Sequence, residues 1–273
     1  MKNYFDLSGR VAVVTGASAG LGLQMAKAFA SQGANLVLLA RRQNLLEENA
    51  KAITEEFGVE VLPFACDITD TERVKAAVAA TIDKFGRVDI LMNNAGTGAV
   101  GPAEEITDEQ FKHEMSIDLY GTFICAREFG KEMIKAGFGR VINIASMYGL
   151  VGNLIVGSAP YHAAKGGVVN LTRALAAEWG KYGITVNSIC PGNFLDGPLW
   201  SDPVKGLYVQ YLNAGKVPGA KTVEDVKEYY LSKVPMHKGC NPLDVTRAIL
   251  YAIEQTGETG QAIPVTGGQV MLA

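Results

Sequence analysis

Little in this chain points toward a charged polymer or a membrane. Its 25 Lys and Arg are offset by 28 Asp and Glu, and the charges are scattered without long runs of one sign. No basic face is left for phosphates, so nucleic acid is not expected as a partner. No apolar stretch reaches the roughly 18 residues of a membrane span, and the opening MKNYFDLSGRVAVVTG lacks an apolar leader core. A soluble, cytoplasmic protein is the expectation. Cysteine is sparse: Cys66, Cys125, Cys190 and Cys240 are widely spaced singles with no C-x-x-C pair. That argues against a zinc site or redox couple and for reduced, mostly buried thiols. His113, His162 and His237 show no metal-ligand spacing, so no metal is expected. Repeats and low-complexity tracts are absent.

What is present is an apolar rhythm. The 273 residues are 48% hydrophobic, enough for one extensive core, and residues 1–273 read as a single domain. Short apolar runs at 11–14, 36–39, 61–65, 89–93, 140–145, 184–189 and 261–265 alternate with helical stretches at 20–32, 43–57, 71–85, 108–136 and 161–181. Strands so uniformly apolar are covered on both faces, which predicts a Rossmann-type, doubly wound α/β fold with a seven-stranded parallel sheet. Residues 193–240 break the rhythm with four prolines and helix-like pieces near 203–214 and 222–232. Because the segment follows the carboxyl end of a strand, where ligands bind in such sheets, it reads as a substrate-binding lid. The alternative is a solvated helical excursion.

Chemistry concentrates at two places. TGASAGLG at 15–22 follows the first strand and opens the first helix, where Gly16, Gly20 and Gly22, with Ser18 and Leu21 among them, would let backbone N–H groups approach a pyrophosphate. Tyr161 and Lys165 in YHAAK are one helical turn apart and share a face, fifteen residues after Ser146. A free tyrosine titrates near ~10, and a neighbouring ammonium favours its ionised form. Such a phenol can exchange a proton with a carbonyl or alcohol oxygen. Negative charge that builds on a carbonyl oxygen during hydride addition would meet two hydroxyl donors, Ser146 and Tyr161.

The TGxxxGxG turn, NNAG at 93–96, Ser146, the YxxxK pair and Pro191-Gly192 occur in the order found in the short-chain dehydrogenase/reductase family, which the chain resembles over nearly its whole length. The resemblance implies that Ser146 holds the substrate oxygen, that Tyr161 exchanges the proton, and that Lys165 binds the nicotinamide ribose. It also implies that Asp67 and Ile68 border the adenine, that Asn94, Ala95 and Gly96 lie along the adenosine ribose, and that Pro191, Gly192 and Phe194 flank the cofactor. Relatives are commonly homotetramers; Val168, Val169, Leu171, Leu175 and Trp179 offer more apolar surface than one sheet face needs, so a homotetramer is expected. Where an acid would bind the ribose diol of NAD(H), the chain has Arg41 and Arg42, whose planar forks suit a 2′-phosphate. NADP(H) is favoured over NAD(H), unless both arginines merely cap a strand end.

Two positions depart from the family pattern. Asp118 stands where relatives carry the asparagine that holds a water beside the lysine; a carboxylate can accept from that water and from Lys165. Asp118 is therefore placed in the catalytic set, ionised, and Asp118→Asn is expected to retain activity. After Gly192 the chain reads Asn193-Phe194-Leu195-Asp196 in place of the usual threonine, so this loop is expected to take a different path. Met147, Tyr148, Asn153, His162, Asn193 and Trp200 are the candidate substrate contacts, Tyr148 and His162 foremost, because they flank the serine, the tyrosine or the start of the lid. The segment 142–148 and Asp118 resemble the gluconate 5-dehydrogenase branch and bacterial reductases of cyclic polyketones or polyphenols such as phloroglucinol. The expected activity is NADPH-dependent reduction of a small cyclic or polyhydroxylated ketone. Alternatives are a sugar-acid or polyol dehydrogenase, a 3-oxoacyl thioester reductase, or a nucleotide sensor without turnover, which would not need Ser146, Tyr161 and Lys165 together.

Overall fold

Successive side chains of a strand point to opposite faces, and here both sets are apolar. The computed structural model describes residues 5–98, 101–152 and 157–271. Its strands are β1 (Val11–Thr15), β2 (Asn35–Ala40), β3 (Val61–Ala65), β4 (Ile90–Asn93), β5 (Gly139–Ile144), β6 (Ile184–Pro191) and β7 (Ala262–Val265). All pair in parallel in the order β3-β2-β1-β4-β5-β6-β7. In β2, Leu36 and Leu38 face one layer while Val37 and Leu39 face the other. The first layer is α1 (Gly20–Ser31), α2 (Gln43–Phe57) and α10 (Pro242–Glu254); Met25, Phe29, Ile53, Ile249 and Ile253 pack there. The second is α3 (Thr71–Phe85), α5 (Thr122–Ala136) and α6 (Ala159–Trp179), which contribute Val74, Phe129, Leu175 and Trp179. The expected seven-stranded doubly wound sheet is what forms, and strand order reverses between β1 and β4, leaving a crevice at their carboxyl ends.

Two helical expectations need correction. The single helix at 108–136 is two, α4 (Asp108–Met115) and α5, joined by a π-helical turn at Ser116–Gly121. A one-residue widening of this kind re-aims a side chain inward, and the residue it buries is Asp118, which is fully inaccessible. α10 was not anticipated, although its start is marked in the sequence: Asn241 accepts from the Asp244 N–H at 2.9 Å and Pro242 opens the first turn.

Residues 193–240 hold three short helices, α7 (Pro198–Ser201), α8 (Leu207–Asn213) and α9 (Val223–Ser232). Thr222 caps α9 by accepting from Asp225 N–H at 3.1 Å. The segment has its own apolar cluster, with Leu195, Trp200, Tyr208, Tyr211, Val226 and Tyr230 all buried, separate from the two layers that clothe the sheet. All four cysteines are free and buried, as their isolation in the sequence suggested. No helix among the described residues is long and apolar enough to cross a membrane.

Candidate active site

The carboxyl ends of β1, β4, β5 and β6 open onto two adjoining cavities that share Gly96 and Thr97 as a common wall. The smaller, of about 340 Å³, lies between the glycine turn, Arg41, Arg42, Asp67 and Ile68. The larger, of about 570 Å³, lies between Ser146 and Tyr161 and helices α7, α8 and α9.

The glycine turn is shaped by close approach. A Cβ at Gly22 would stand 2.5 Å from the carbonyl oxygen of Gly16 and 2.6 Å from the Asn94 amide, so no larger residue fits. Asn94 also donates to the Thr15 carbonyl at 3.0 Å, while its own N–H and that of Ala95 are both accepted by the Thr15 hydroxyl. The side-chain amide of Asn94 pins the β4 loop to the turn, while the neighbouring Ala95 and Gly96 border the smaller cavity. Gly20 and Gly22 likewise shape the turn, whereas Gly16, Ser18, Ala95 and Gly96 line the smaller cavity and Leu21 the larger. Arg42 Nη2 donates to Ser18 Oγ at 2.8 Å. Arg41 faces Asp67, whose carboxyl is held below its ordinary value chiefly by the Thr69 N–H, with Arg41 adding to it. Both arginines are exposed, and neither pairs with a carboxylate among the described residues.

Ser146 ends β5 and starts a single turn, Met147–Gly149, whose Tyr148 N–H donates to Ser146 Oγ at 3.2 Å. Only glycine fits at 149, because a Cβ would lie 2.7 Å from the Lys165 carbonyl. That contact presses the serine turn onto α6 and brings Ser146 and Tyr161 to one cavity. One turn further along α6, Lys165 is only 4% exposed. Its amine stands 5.6 Å from the centre of the Tyr161 ring, donates to the Ile144 carbonyl at 3.1 Å and meets Asp118 Oδ2 at 2.9 Å. The other oxygen of Asp118 accepts from Thr97 N–H at 2.7 Å. Burial works against the charge of Lys165, but the oxygens of Tyr161 and Asp118, with Glu114 behind them, outweigh it and hold its pKa above the ordinary lysine value. Asp118 thus joins the lysine to the cavity wall at Thr97. Both of its oxygens face donors, an arrangement an amide does not reproduce in place, so Asp118→Asn is expected to cost stability, a quantity separate from the activity it is expected to retain.

Of the residues expected to touch substrate, Tyr148, Asn193 and Trp200 line the larger cavity, together with Pro191, Gly192 and Phe194. Met147 is buried away from it and His162 sits behind it, its ring 4.9 Å from that of Tyr148 and its Nδ1 against the Ser158 hydroxyl and carbonyl. His162 therefore props Tyr148. Asn153 lies outside the described residues. In the loop after Gly192, Leu195 packs into the apolar cluster of residues 193–240, and the exposed Asp196 meets Lys227 at 3.8 Å. Tyr211, Tyr230 and Ser158 in the larger cavity, and His113 and Ile117 in the smaller, escaped the sequence reading. The tyrosine-rich pieces YVQYL and EYYL were the available signal for the first two.

A mostly parallel sheet, a glycine turn at a helix start and a hydroxyl pair beside a buried lysine define a dinucleotide-dependent enzyme acting on carbonyls or alcohols. Residues 10–201 match the short chain dehydrogenase family, and the chain belongs to it. It is 35% identical over 272 residues to the BbsD subunit of a hydroxy(phenyl)methylsuccinyl-CoA dehydrogenase from Thauera aromatica, spanning 98% of this chain and 99% of that one. With sorbitol-6-phosphate 2-dehydrogenase of Escherichia coli K12 it shares 36% identity over 266 residues, 96% of this chain and 99% of the other. The crystal structure of sorbitol-6-phosphate 2-dehydrogenase SrlD from Erwinia amylovora has the same fold, with a TM-score of 0.89 at 35% identity, covering 96% of this chain and all (100%) of that one. The protein is an NAD(P)-dependent oxidoreductase of the CH–OH/C=O type. Its residues fit such a cofactor: the close Gly16–Gly22 approach leaves the start of α1 free of side-chain bulk, and the two cavities adjoin at Gly96 and Thr97.

Proposed function

We propose that this protein is an NADPH-dependent reductase of a small cyclic or polyhydroxylated ketone. The observation that carries the reading is the convergence of Ser146 and Tyr161 on one cavity of about 570 Å³ that six aromatic residues help to wall and that adjoins an arginine-edged one. NADPH, when bound, supplies the hydride. Ser146 and Tyr161 receive the carbonyl oxygen, and Tyr161 gives it the proton that completes the alcohol; in oxidation the same phenol takes the proton back. Lys165, fixed by Asp118 and the Ile144 carbonyl, keeps a positive charge beside the phenol ring and within reach of a nicotinamide ribose. The smaller cavity takes the adenosine end, Asp67 and Ile68 toward the base and Arg41 and Arg42 toward a 2′-phosphate. Residues 193–240 act as the lid over the substrate.

A polyol dehydrogenase is the second reading, favoured by the likeness to sorbitol-6-phosphate 2-dehydrogenase. A panel of neutral ketones and polyols, assayed in both directions with both cofactors, separates the two. Replacing Arg41 and Arg42 together by Ala is expected to lower kcat/KM for NADPH about 30-fold, the equivalent of ~2 kcal/mol of charge-assisted hydrogen bonding, and to leave NADH within a few-fold. A wild-type preference for NADH that survives the double change would refute the NADPH assignment.

Assembly into a homotetramer is part of the proposal, through the helices at 108–136 and 161–181 but with mostly other side chains than those named from the sequence. Val168, Val169, Leu175 and Trp179 are buried within the subunit, and only Leu171 of the expected set borders an open apolar groove, with Met115, Leu119, Tyr120 and Phe123. Sedimentation of the wild type and of Leu171→Glu reads the assembly directly.

A further inference from the structure

Charge is missing from the walls of the larger cavity. Its described lining includes no Lys, Arg, His, Asp or Glu, and residues 99–100 and 153–156 carry no charged side chain in the sequence. A phosphate or carboxylate drawn in here would lose its hydration with no cation to replace it. The walls facing Ser146 and Tyr161 are flat instead. Trp200 meets Tyr230 edge-on at 4.6 Å and Tyr211 at 5.8 Å, and Tyr211 stacks on Tyr230 with centroids 5.8 Å apart. Faces and edges of that kind pack against a ring better than against a flexible chain.

Several hydroxyls line this slot. Asn193 Nδ2 donates to the Tyr148 hydroxyl at 3.4 Å, and Tyr148, Tyr161 and Tyr211 border the same cavity. Tyr211 is 8% exposed, and its hydroxyl has no hydrogen-bond partner among the described residues. Burial pushes the Tyr211 phenol up to about 12 and raises that of Tyr148, so both are neutral donors. A hydroxyl that no protein group engages, on a residue that lines the cavity, is free to donate to an acceptor that arrives with the ligand.

We propose that the substrate is an uncharged ring bearing a second oxygen across from its reacting carbonyl, and that Tyr211 donates a hydrogen bond to that oxygen and so sets specificity. The proposal rests on the reductase reading above. Its test compares cyclohexanone, cyclohexane-1,4-dione and acetoacetate as substrates with NADPH. In the wild type, kcat/KM is expected to be highest for the dione and lowest for acetoacetate. Tyr211→Phe keeps the ring and its packing, which an unchanged melting temperature checks, and is expected to reduce the dione-to-cyclohexanone ratio about tenfold, the size of one neutral hydrogen bond. A ratio untouched by Tyr211→Phe, or acetoacetate reduced as well as the dione, overturns the proposal. Turnover of none of the three overturns it also, without touching the reductase reading, which fails instead if no ketone in the wider panel is reduced.

Discussion

The two walls of the larger cavity are anchored in different ways. Behind Ser146, Tyr161 and Lys165 a buried polar chain runs through the sheet: Asn93 donates to Asn143 at 2.9 Å, Asn143 to Thr172 of α6 at 2.9 Å, and Lys165 to Asp118 and Ile144. The wall opposite, from residues 193–240, is a cluster of rings packed on one another, with the hydroxyls of Tyr208 and Tyr230 buried and without hydrogen-bond partners. Directional hydrogen bonds and an ion pair hold atoms to a defined position even though Asn93 Oδ1 is itself left without a partner, whereas ring-on-ring contacts tolerate sliding. Proton transfer needs the first kind of wall, and recognition of varied substrates is served by the second.

Three substitutions sharpen that contrast, the largest first. Tyr161→Phe is expected to lower kcat/KM by about 10²–10⁴ while leaving cofactor affinity, read by fluorescence of bound NADPH, near the wild-type value. Activity within a few-fold of wild type would mean that the proton travels by another group. Asp118→Asn attacks the anchoring of the same wall. One amide oxygen cannot serve both Thr97 and Lys165, so urea unfolding should show a loss of about 1.5–3 kcal/mol, and an unchanged midpoint would place the ion pair among the dispensable ones. The smallest effect lies on the lid: Tyr208→Phe removes a buried hydroxyl that has no partner and should change stability by no more than about 1 kcal/mol, toward greater stability. Clear destabilisation there would erase the distinction between the walls.

Much of the site was legible because its parts are local. The Tyr161–Lys165 spacing follows from helical periodicity, and the glycine turn is readable because strand, glycines and helix are adjacent in the chain. Met147 and His162 were assigned by neighbourhood in sequence, and the first fills the core while the second packs behind Tyr148. Sequence distance says who is near but not which way a side chain turns. Tyr211 and Tyr230 failed from the opposite cause: nothing in residues 204–232 says which ring of an amphipathic helix will meet Ser146.

By itself the amino-acid order determined the doubly wound sheet, the glycine turn and the one-turn spacing of Tyr161 and Lys165, since uniformly apolar runs and helical spacings are short-range properties that backbone geometry converts directly into faces. Tertiary structure alone decided the π-helical turn that carries Asp118 inward, the direction in which the chain leaves Gly192, and the uncharged aromatic slot. Each depends on contacts between segments far apart in the chain, where packing and the pairing of buried charge choose among local conformations of nearly equal energy.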